Sequence, residues 1–78
     1  MANKILVYST PSCPYCVRVK QFLAENNIPF ENYDVELDHH KAEEMVAKSG
    51  QMAVPVLDID GQIIVGFDKE RIKQLLRI

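Results

Sequence analysis

The alternation of apolar and polar positions predicts a strand and then a helix at the start of the chain. Lys4–Tyr8 is a compact apolar run without helical periodicity, which is typical of a strand buried on both faces. Polar residues end this run, and from Pro14 apolar side chains recur at spacings of three and four, which predicts a helix that ends near Asn26 and Asn27. The apolar stripe of this helix comprises Cys16, Val19, Phe22, Leu23 and Asn26.

The middle of the chain predicts a second strand and a second helix. Pro29–Val35 mixes aromatic and β-branched residues with acidic ones, which favours a strand at the edge of a sheet. Asp38 can cap a helix that ends at Gly50, because glycine is favoured just beyond a helix C-terminus. The apolar stripe of this second helix comprises Ala42, Met45, Val46 and Ser49.

The last part of the chain predicts a hairpin and an amphipathic helix. Val54–Ile59 and Gln62–Val65 flank the dipeptide Asp60-Gly61, a strong signal for a tight antiparallel hairpin. Asp68 then precedes a helix whose apolar face comprises Ile72, Leu75 and Leu76.

Together these elements predict an α/β fold with a four-stranded mixed sheet in the order β-α-β-α-β-β-α. The opening strand–helix–strand unit should be a parallel crossover, and the hairpin adds antiparallel strands. Helices should cover both faces of the sheet, because the first and third strands are apolar on both sides. No repeat or linker divides the chain, so we expect a single domain over residues 1–78.

Composition and charge exclude several classes of protein. The 78 residues are 47% hydrophobic and 26% charged, which excludes a disordered chain and leaves no room for a multidomain enzyme. Nine basic and eleven acidic residues leave a net charge of −2, and no run of like charges marks a nucleic-acid surface. No apolar run is long enough for a membrane span or a secretory signal. We therefore expect a cytoplasmic monomer without nucleic-acid or membrane partners.

Two cysteines three residues apart carry the candidate chemistry. Cys13-Pro14-Tyr15-Cys16 lies where the first strand leads into the first helix, so Cys13 is expected at the helix N-cap, where free N–H groups and the helix dipole favour a thiolate. Cys16 lies one turn further, on the apolar stripe. A bond between them would close too small a loop to stabilise the fold, so redox or metal chemistry is the better interpretation. Cys13 is the predicted nucleophile and Cys16 the predicted resolving thiol.

Two cations share the helix with these cysteines. Arg18 and Lys20 are opposed only by Glu25, so they add positive potential near the dithiol. Salt screens exposed charges, so we interpret both as part of a solvated helix face, with support of the dithiol by Arg18 as the alternative.

These motifs resemble the glutaredoxin family, whose members have the thioredoxin fold. The resemblance spans nearly the whole chain and rests on Cys-Pro-Tyr-Cys at 13–16, Ala-Val-Pro at 53–55 and Val-Gly-Phe-Asp at 65–68. It implies a thiol–disulfide oxidoreductase that reduces protein disulfides and glutathione mixed disulfides, with glutathione as reductant and co-substrate. No bound cofactor or metal is implied.

The resemblance also implies roles for residues around the dithiol. Pro55 would follow a cis peptide bond beside Cys13, and the backbone of Val54 would pair with the substrate cysteine. A proline inside an apolar strand independently needs an explanation, and the alternative is that it merely opens the strand. Asp68 would hold the amino group of the γ-glutamyl unit of glutathione, and it is also a good helix N-cap. Tyr15 would line the glutathione groove; packing on the surface is its alternative.

The sequence departs from the family pattern at two positions. Members commonly carry a lysine three residues before the first cysteine, where it meets a glutathione carboxylate, but Thr10 stands here, and Lys41 or Arg18 could supply the missing charge. They also commonly have two glycines before the last helix, whereas Gly66 stands alone as a candidate binding residue. Gly66-Phe67 resembles the glutaredoxin-like electron donors of ribonucleotide reductase, which thioredoxin reductase reduces. Such a donor is the alternative function.

A zinc site is a competing interpretation of the cysteines. Cys13 and Cys16 together with His39 and His40 would make four ligands. Zinc motifs usually separate their two histidines by about three to five residues, and adjacent histidines point in different directions. The spacing therefore argues against zinc.

Two further alternatives are an iron–sulfur cluster shared between two chains and a binding role without catalysis. Family members specialised for clusters typically have glycine or serine in place of Pro14 and Cys16. A binding patch formed by Val17, Val54 and Phe67 would leave the dithiol unexplained.

Overall fold

Four strands form one mixed sheet, and three helices pack on its two faces. In the computed structural model, which describes residues 4–77, the elements are β1 (Ile5–Ser9), α1 (Pro14–Glu25), β2 (Glu31–Asp34), α2 (His39–Ser49), β3 (Val56–Ile59), β4 (Gln62–Val65) and α3 (Lys69–Leu76). The strand order is β2-β1-β3-β4, with β1 and β2 parallel and the other two pairs antiparallel. The predicted fold class and order of elements are confirmed.

Alternate residues of each strand point to opposite faces of the sheet and create two apolar layers. Helices α1 and α3 cover one face, where the buried side chains are Ile5, Val7, Val19, Leu23, Leu57, Ile59, Ile64 and Ile72. Helix α2 covers the other face, where Met45 packs with Tyr8 and Val56. The first and third strands are therefore buried on both sides, as their apolar sequences predict.

The turns and caps follow the local sequence. The side chain of Asp38 accepts the Lys41 N–H at 3.2 Å and begins α2, which ends at Gly50 with a φ of 77°. Asp60 and Gly61 both have positive φ, as a two-residue hairpin turn requires. None of the helices within residues 4–77 is long and apolar enough to cross a membrane.

The structure corrects two predictions of detail. Strand β3 begins at Val56 rather than Val54, because Pro55 has no N–H to donate to the ladder. Asn26 does not extend the buried stripe of α1: it is exposed at the helix C-cap, where its Nδ2 donates to the Phe22 carbonyl at 2.8 Å. The predicted edge position of β2 is confirmed.

Candidate active site

A tight turn carries the chain from β1 into α1 and presents the two cysteines. The Cys13 N–H donates to the Thr10 carbonyl at 3.4 Å, and Pro11 occupies the second position of this turn, where its fixed φ is favoured. Pro14 is the first residue of α1, a position at which the missing N–H of proline breaks no helical hydrogen bond. The turn thus places Cys13 at the N-cap, as predicted.

The sulfur of Cys13 serves as the capping group of α1. Its Sγ accepts the Cys16 N–H at 3.3 Å, the bond that a serine or aspartate oxygen makes at other N-caps. The same sulfur lies 3.9 Å from the Val54 carbonyl oxygen, and the side chain is partly exposed. Negative charge on this atom would face the free N–H groups and the positive end of the helix dipole.

Cys16 differs from Cys13 in its surroundings, although the two residues lie within one helical turn. Its side chain is 0% exposed, and both thiols are free. Burial raises the pKa of the Cys16 thiol to about 11, and its hydrogen bond with Cys13 adds to this rise. A backbone hydrogen bond with Thr10 and the ammonium of Lys20 act in the opposite direction. At neutral pH Cys16 is therefore a shielded, protonated thiol behind an accessible one.

A loop before β3 approaches the dithiol through its backbone. The Val54–Pro55 peptide bond is cis, as the sequence resemblance implies, and Pro55 is buried. The Pro55 carbonyl accepts the Gly66 N–H at 2.8 Å, which ties this loop to the end of β4. Gly66 has a φ of 83°, a conformation that glycine adopts at little cost. Within residues 4–77 the Val54 N–H has no hydrogen-bond partner, so it is available to an incoming chain.

Aromatic and cationic side chains lie on α1 beside Cys13. Tyr15 is 57% exposed, and the Arg18 guanidinium lies 5.4 Å from the centroid of its ring. Val17 is 42% exposed. The first two turns of α1, the helix that Cys13 caps, therefore present an exposed ring, an exposed valine side chain and a positive charge.

The proposed patch of Val17, Val54 and Phe67 is only partly a surface. Val54 is half-buried against the α2 layer, and Phe67 is half-buried with its ring centroid 5.9 Å from that of Phe22. Of the three residues, only Val17 is exposed. The three residues therefore do not form one exposed patch, because the apolar layers partly cover both Val54 and Phe67.

Asp68 and Lys41 each make local contacts. The Asp68 carboxylate accepts the Arg71 N–H at 3.1 Å, which confirms its role as the N-cap of α3, and the residue is exposed. The Lys41 ammonium lies 4.1 Å from the centroid of the Tyr33 ring and 3.5 Å from a Glu44 oxygen, so it is engaged on α2.

The two histidines lie on a different helix from the two cysteines. His39 and His40 form the first turn of α2, which covers the opposite face of the sheet from α1. No group of three or more His, Cys, Asp or Glu side chains in the described part of the chain is placed to hold a metal ion.

A polar network that the sequence pattern does not predict lies beneath α2. The Lys48 ammonium donates to Asp58 Oδ2 at 2.6 Å and to the Tyr8 hydroxyl at 2.9 Å, and that hydroxyl donates to Glu44. Burial alone would raise the pKa of the Asp58 carboxyl, but the hydrogen bonds from Lys48 and from the Gly61 N–H, together with the positive charges of Lys48 and Lys4, outweigh burial and lower it. An acidic residue inside the apolar strand β3 was the available signal, since a buried charge needs a partner.

Comparisons with known proteins agree with this geometry. The Glutaredoxin family model matches residues 5–64. A glutaredoxin-like 8.6 kDa protein of Clostridium pasteurianum, described as uncharacterized and encoded in a rubredoxin operon, is 47% identical over 72 residues, which is 92% of this chain and 96% of the relative. Glutaredoxin 3 of Escherichia coli is 38% identical over 68 residues, 87% of this chain and 81% of the relative.

Solved structures give the same assignment. The crystal structure of a mutant thioredoxin-like protein superposes with a TM-score of 0.91 at 40% identity and covers 96% of both chains. The sheet order and the positions of the helices are therefore those of the thioredoxin fold. From its fold, its motifs and these relatives, the chain belongs to the glutaredoxin family.

Proposed function

We propose that this protein reduces protein disulfides and glutathione mixed disulfides through Cys13 and Cys16, with glutathione as its reductant. The observation that carries the proposal is the contrast between the two thiols. Cys13 is accessible at the N-cap and accepts the Cys16 N–H at 3.3 Å, whereas Cys16 is fully buried behind it. An accessible nucleophile next to a shielded second thiol suits a two-step exchange reaction.

In the first step, the Cys13 thiolate attacks one sulfur of a substrate disulfide. A bond forms between Cys13 Sγ and that sulfur, the substrate S–S bond breaks, and the second substrate sulfur leaves as a thiolate. The α1 N-terminus favours negative charge on the attacking sulfur. The product is a mixed disulfide at Cys13.

In the second step, the Cys16 thiolate attacks Cys13 Sγ. The new bond joins the two protein sulfurs, the mixed disulfide breaks, and the substrate sulfur leaves reduced. Two molecules of glutathione then reduce the Cys13–Cys16 disulfide and form one molecule of oxidised glutathione. For a glutathionylated substrate, Cys13 alone suffices, because a second glutathione can attack the mixed disulfide.

The backbone beside Cys13 supports binding of an extended substrate. The free N–H of Val54, and its carbonyl 3.9 Å from Cys13 Sγ, could pair with a peptide as an added strand. The expected position of the substrate cysteine is therefore between Val54 and Cys13.

Three side chains support glutathione as the reductant. Tyr15 and Arg18 present a ring and a guanidinium beside Cys13, and Asp68 is an exposed carboxylate next to Gly66. Arg18 is better placed than Lys41 to meet a carboxylate of glutathione, because Arg18 shares α1 with the nucleophile while Glu44 and Tyr33 hold Lys41 on α2.

A second candidate is a redoxin that thioredoxin reductase reduces and that donates electrons to ribonucleotide reductase or a similar enzyme. Two observations favour it: Thr10 stands where the family commonly carries a lysine, and Gly66 stands without a second glycine. Both changes remove features associated with glutathione and leave the dithiol unchanged.

The deciding experiment compares two reducing systems with one small disulfide substrate. NADPH oxidation is followed with glutathione plus glutathione reductase, or with thioredoxin reductase alone, for the wild type and for Cys16→Ser. Turnover only with glutathione supports the proposal, whereas turnover only with thioredoxin reductase supports the second candidate. Absence of turnover in both systems would contradict both.

The role of Arg18 is tested by charge reversal at two positions. Arg18→Glu should raise the KM for glutathione several-fold and leave kcat nearly unchanged, while Lys41→Glu, which introduces the same change on α2, should have a smaller effect. If Arg18→Glu and the wild type have the same KM for glutathione, Arg18 does not contribute to binding of glutathione.

A further inference from the structure

The two cations of α1 occupy different environments. Arg18 is exposed and lies over the ring of Tyr15, whereas Lys20 is half-buried. Lys20 follows Cys16 by four residues, so the two side chains share one face of the helix, with about 5–6 Å between their Cβ atoms. Within residues 4–77 no carboxylate forms an ion pair with Lys20. A lysine without an ion-pair partner in the described part of the chain thus shares one face of α1 with the buried thiol.

Few other groups can influence the charge on Cys16. From the β1–α1 turn, the Cys13 side chain and the Thr10 backbone face it. Where α1 packs on the sheet and on α3, the buried side chains are apolar. Lys69 of α3 lies further along α1, with its ammonium 5.6 Å from the centroid of the Phe22 ring. Lys20 is therefore the cation of α1 that acts on the resolving thiol.

The influence of Lys20 matters most after the first step of the reaction. In the reduced protein, burial raises the pKa of Cys16, and both the hydrogen bond with Cys13 and the charge on Cys13 raise it further. Once Cys13 is bound in a mixed disulfide, it carries no charge and no thiol proton, so those two contributions disappear. Burial then remains opposed by the Thr10 backbone and by the ammonium of Lys20.

We propose that Lys20 is a positioning residue for the second step, in which it stabilises the Cys16 thiolate that resolves the mixed disulfide. This inference rests on the proposed function, because it assumes that Cys13 forms the mixed disulfide. The Cys16 thiol first releases its proton to solvent, and the thiolate, held beside the ammonium, attacks Cys13 Sγ. The Cys13–Cys16 bond forms as the substrate sulfur leaves as a thiolate, so sulfur oxidation states and charge balance without another reactant.

The test measures the two steps separately with oxidised glutathione as substrate. Acid quench and mass spectrometry follow the glutathione adduct and the internal disulfide over a range of pH. The Cys16→Ser background stops the reaction after the first step and so reports that step alone. The variants are Lys20→Met, which keeps an apolar stem, Lys20→Arg, which keeps the charge, and Lys73→Met, which removes an exposed lysine on α3.

We expect Lys20→Met to slow closure of the internal disulfide at neutral pH by about three- to tenfold and to move the midpoint of its pH profile upward by about half to one pH unit, as loss of one nearby charge predicts. Lys20→Arg should show the closure rate and the pH midpoint of the wild type, and so should Lys73→Met. In the Cys16→Ser background, Lys20→Met should change the first step much less.

Three results would overturn the inference. Closure in Lys20→Met at the wild-type rate and pH midpoint would show that the charge has no role. An equal slowing of the first step would place its action on Cys13 or on the substrate. Failure of the wild type to form any glutathione adduct would contradict both the inference and the proposed function, and this outcome is distinct from normal adduct formation without a Lys20 effect.

Discussion

Two regions of the molecule bury ionisable side chains against the sheet, and they do so in opposite ways. Beneath α2, the Lys48 ammonium lies 2.6 Å from a carboxylate oxygen of Asp58, whose side chain is only 13% exposed, and 2.9 Å from the hydroxyl of Tyr8. At the start of α1, Cys16 is fully buried, and the groups that act on it are the Cys13 thiol, the Thr10 backbone and the cation Lys20 one turn away.

The difference shows how partners decide what a buried group does. In the α2 network each charge has an opposite partner, so the charges persist and join the helix to the sheet. At Cys16 burial outweighs the charge of Lys20, so the thiol stays neutral in the reduced protein. The network therefore stabilises the fold, whereas the dithiol remains available for chemistry.

The largest effect is expected from removing the accessible thiol. Cys13→Ser should reduce turnover to the background rate in every assay, because serine is a far weaker nucleophile at neutral pH. Cys16→Ser should lose reduction of protein disulfides and keep reduction of glutathionylated substrates. NADPH-coupled assays with both substrates check this, and substantial activity in Cys13→Ser would contradict the assigned roles.

Substitutions in the α2 network should lower the stability of the fold strongly and leave disulfide exchange unchanged. Lys48→Met should lower the free energy of unfolding by about 2–3 kcal/mol, because it leaves the buried carboxylate of Asp58 without its partner. Urea denaturation measures this change. The double variant Lys48→Met, Asp58→Asn should recover part of the loss, and the folded variants should keep disulfide exchange. A loss of activity in folded Lys48→Met would show that the two regions are coupled.

A smaller effect is expected when alanine replaces either of two glycines that have similar φ angles. Comparing the two variants distinguishes a loss of stability from a loss of turnover. Gly66 and Gly50 have φ angles of 83° and 77°, and a Cβ added at either would meet open space. Gly66→Ala and Gly50→Ala should each cost about 1 kcal/mol of stability for conformational reasons. Only Gly66→Ala should also slow turnover, because a shift of the backbone away from the positive φ would move the N–H that donates to the Pro55 carbonyl at 2.8 Å. Equal turnover by the two variants would show that Gly66 has no role in the active site.

The smallest expected effect is the pH dependence that the network adds to stability. The pKa of Asp58 is lowered in the folded protein, so its stabilising contribution is complete above the unfolded pKa of about 3.9 and is lost as pH falls through the lowered value. The pKa of Lys48 is raised, because its hydrogen bonds to Asp58 and Tyr8 outweigh desolvation, and its contribution is lost only in strong alkali.

Thermal unfolding from neutral pH to about pH 3 measures the acid part of this dependence. The Tm of the wild type should fall more steeply with decreasing pH than that of Asp58→Asn. Parallel curves for the two proteins would show that the ion pair contributes nothing to the acid response.

The dithiol was predictable because its geometry is local. A strand, a turn with Pro11 and a helix that begins at Pro14 are all encoded within a few residues, and together they place Cys13 at the N-cap. The network was not predictable in the same way. Tyr8, Lys48 and Asp58 come from three elements that meet only when α2 docks on the sheet, and no local pattern gives that docking.

The environments of Arg18 and Lys20 were less predictable than the dithiol and more predictable than the α2 network. The sequence predicts a solvated helix face for both side chains, but in the structure Arg18 is exposed and Lys20 is half-buried. The spacing of four residues between Cys16 and Lys20 was a usable signal, since it places both on one face of α1. The sequence pattern does not show how deeply that face is buried.

The most direct test of the account is the order in which the two thiols react with an external reagent. Reduced, folded protein is treated with limiting iodoacetamide at neutral pH, and peptide mapping locates the label. We expect label on Cys13 and almost none on Cys16, because one sulfur is accessible at a helix N-terminus while the other is buried and protonated. Labelling of Cys16 at a comparable or faster rate would contradict the account.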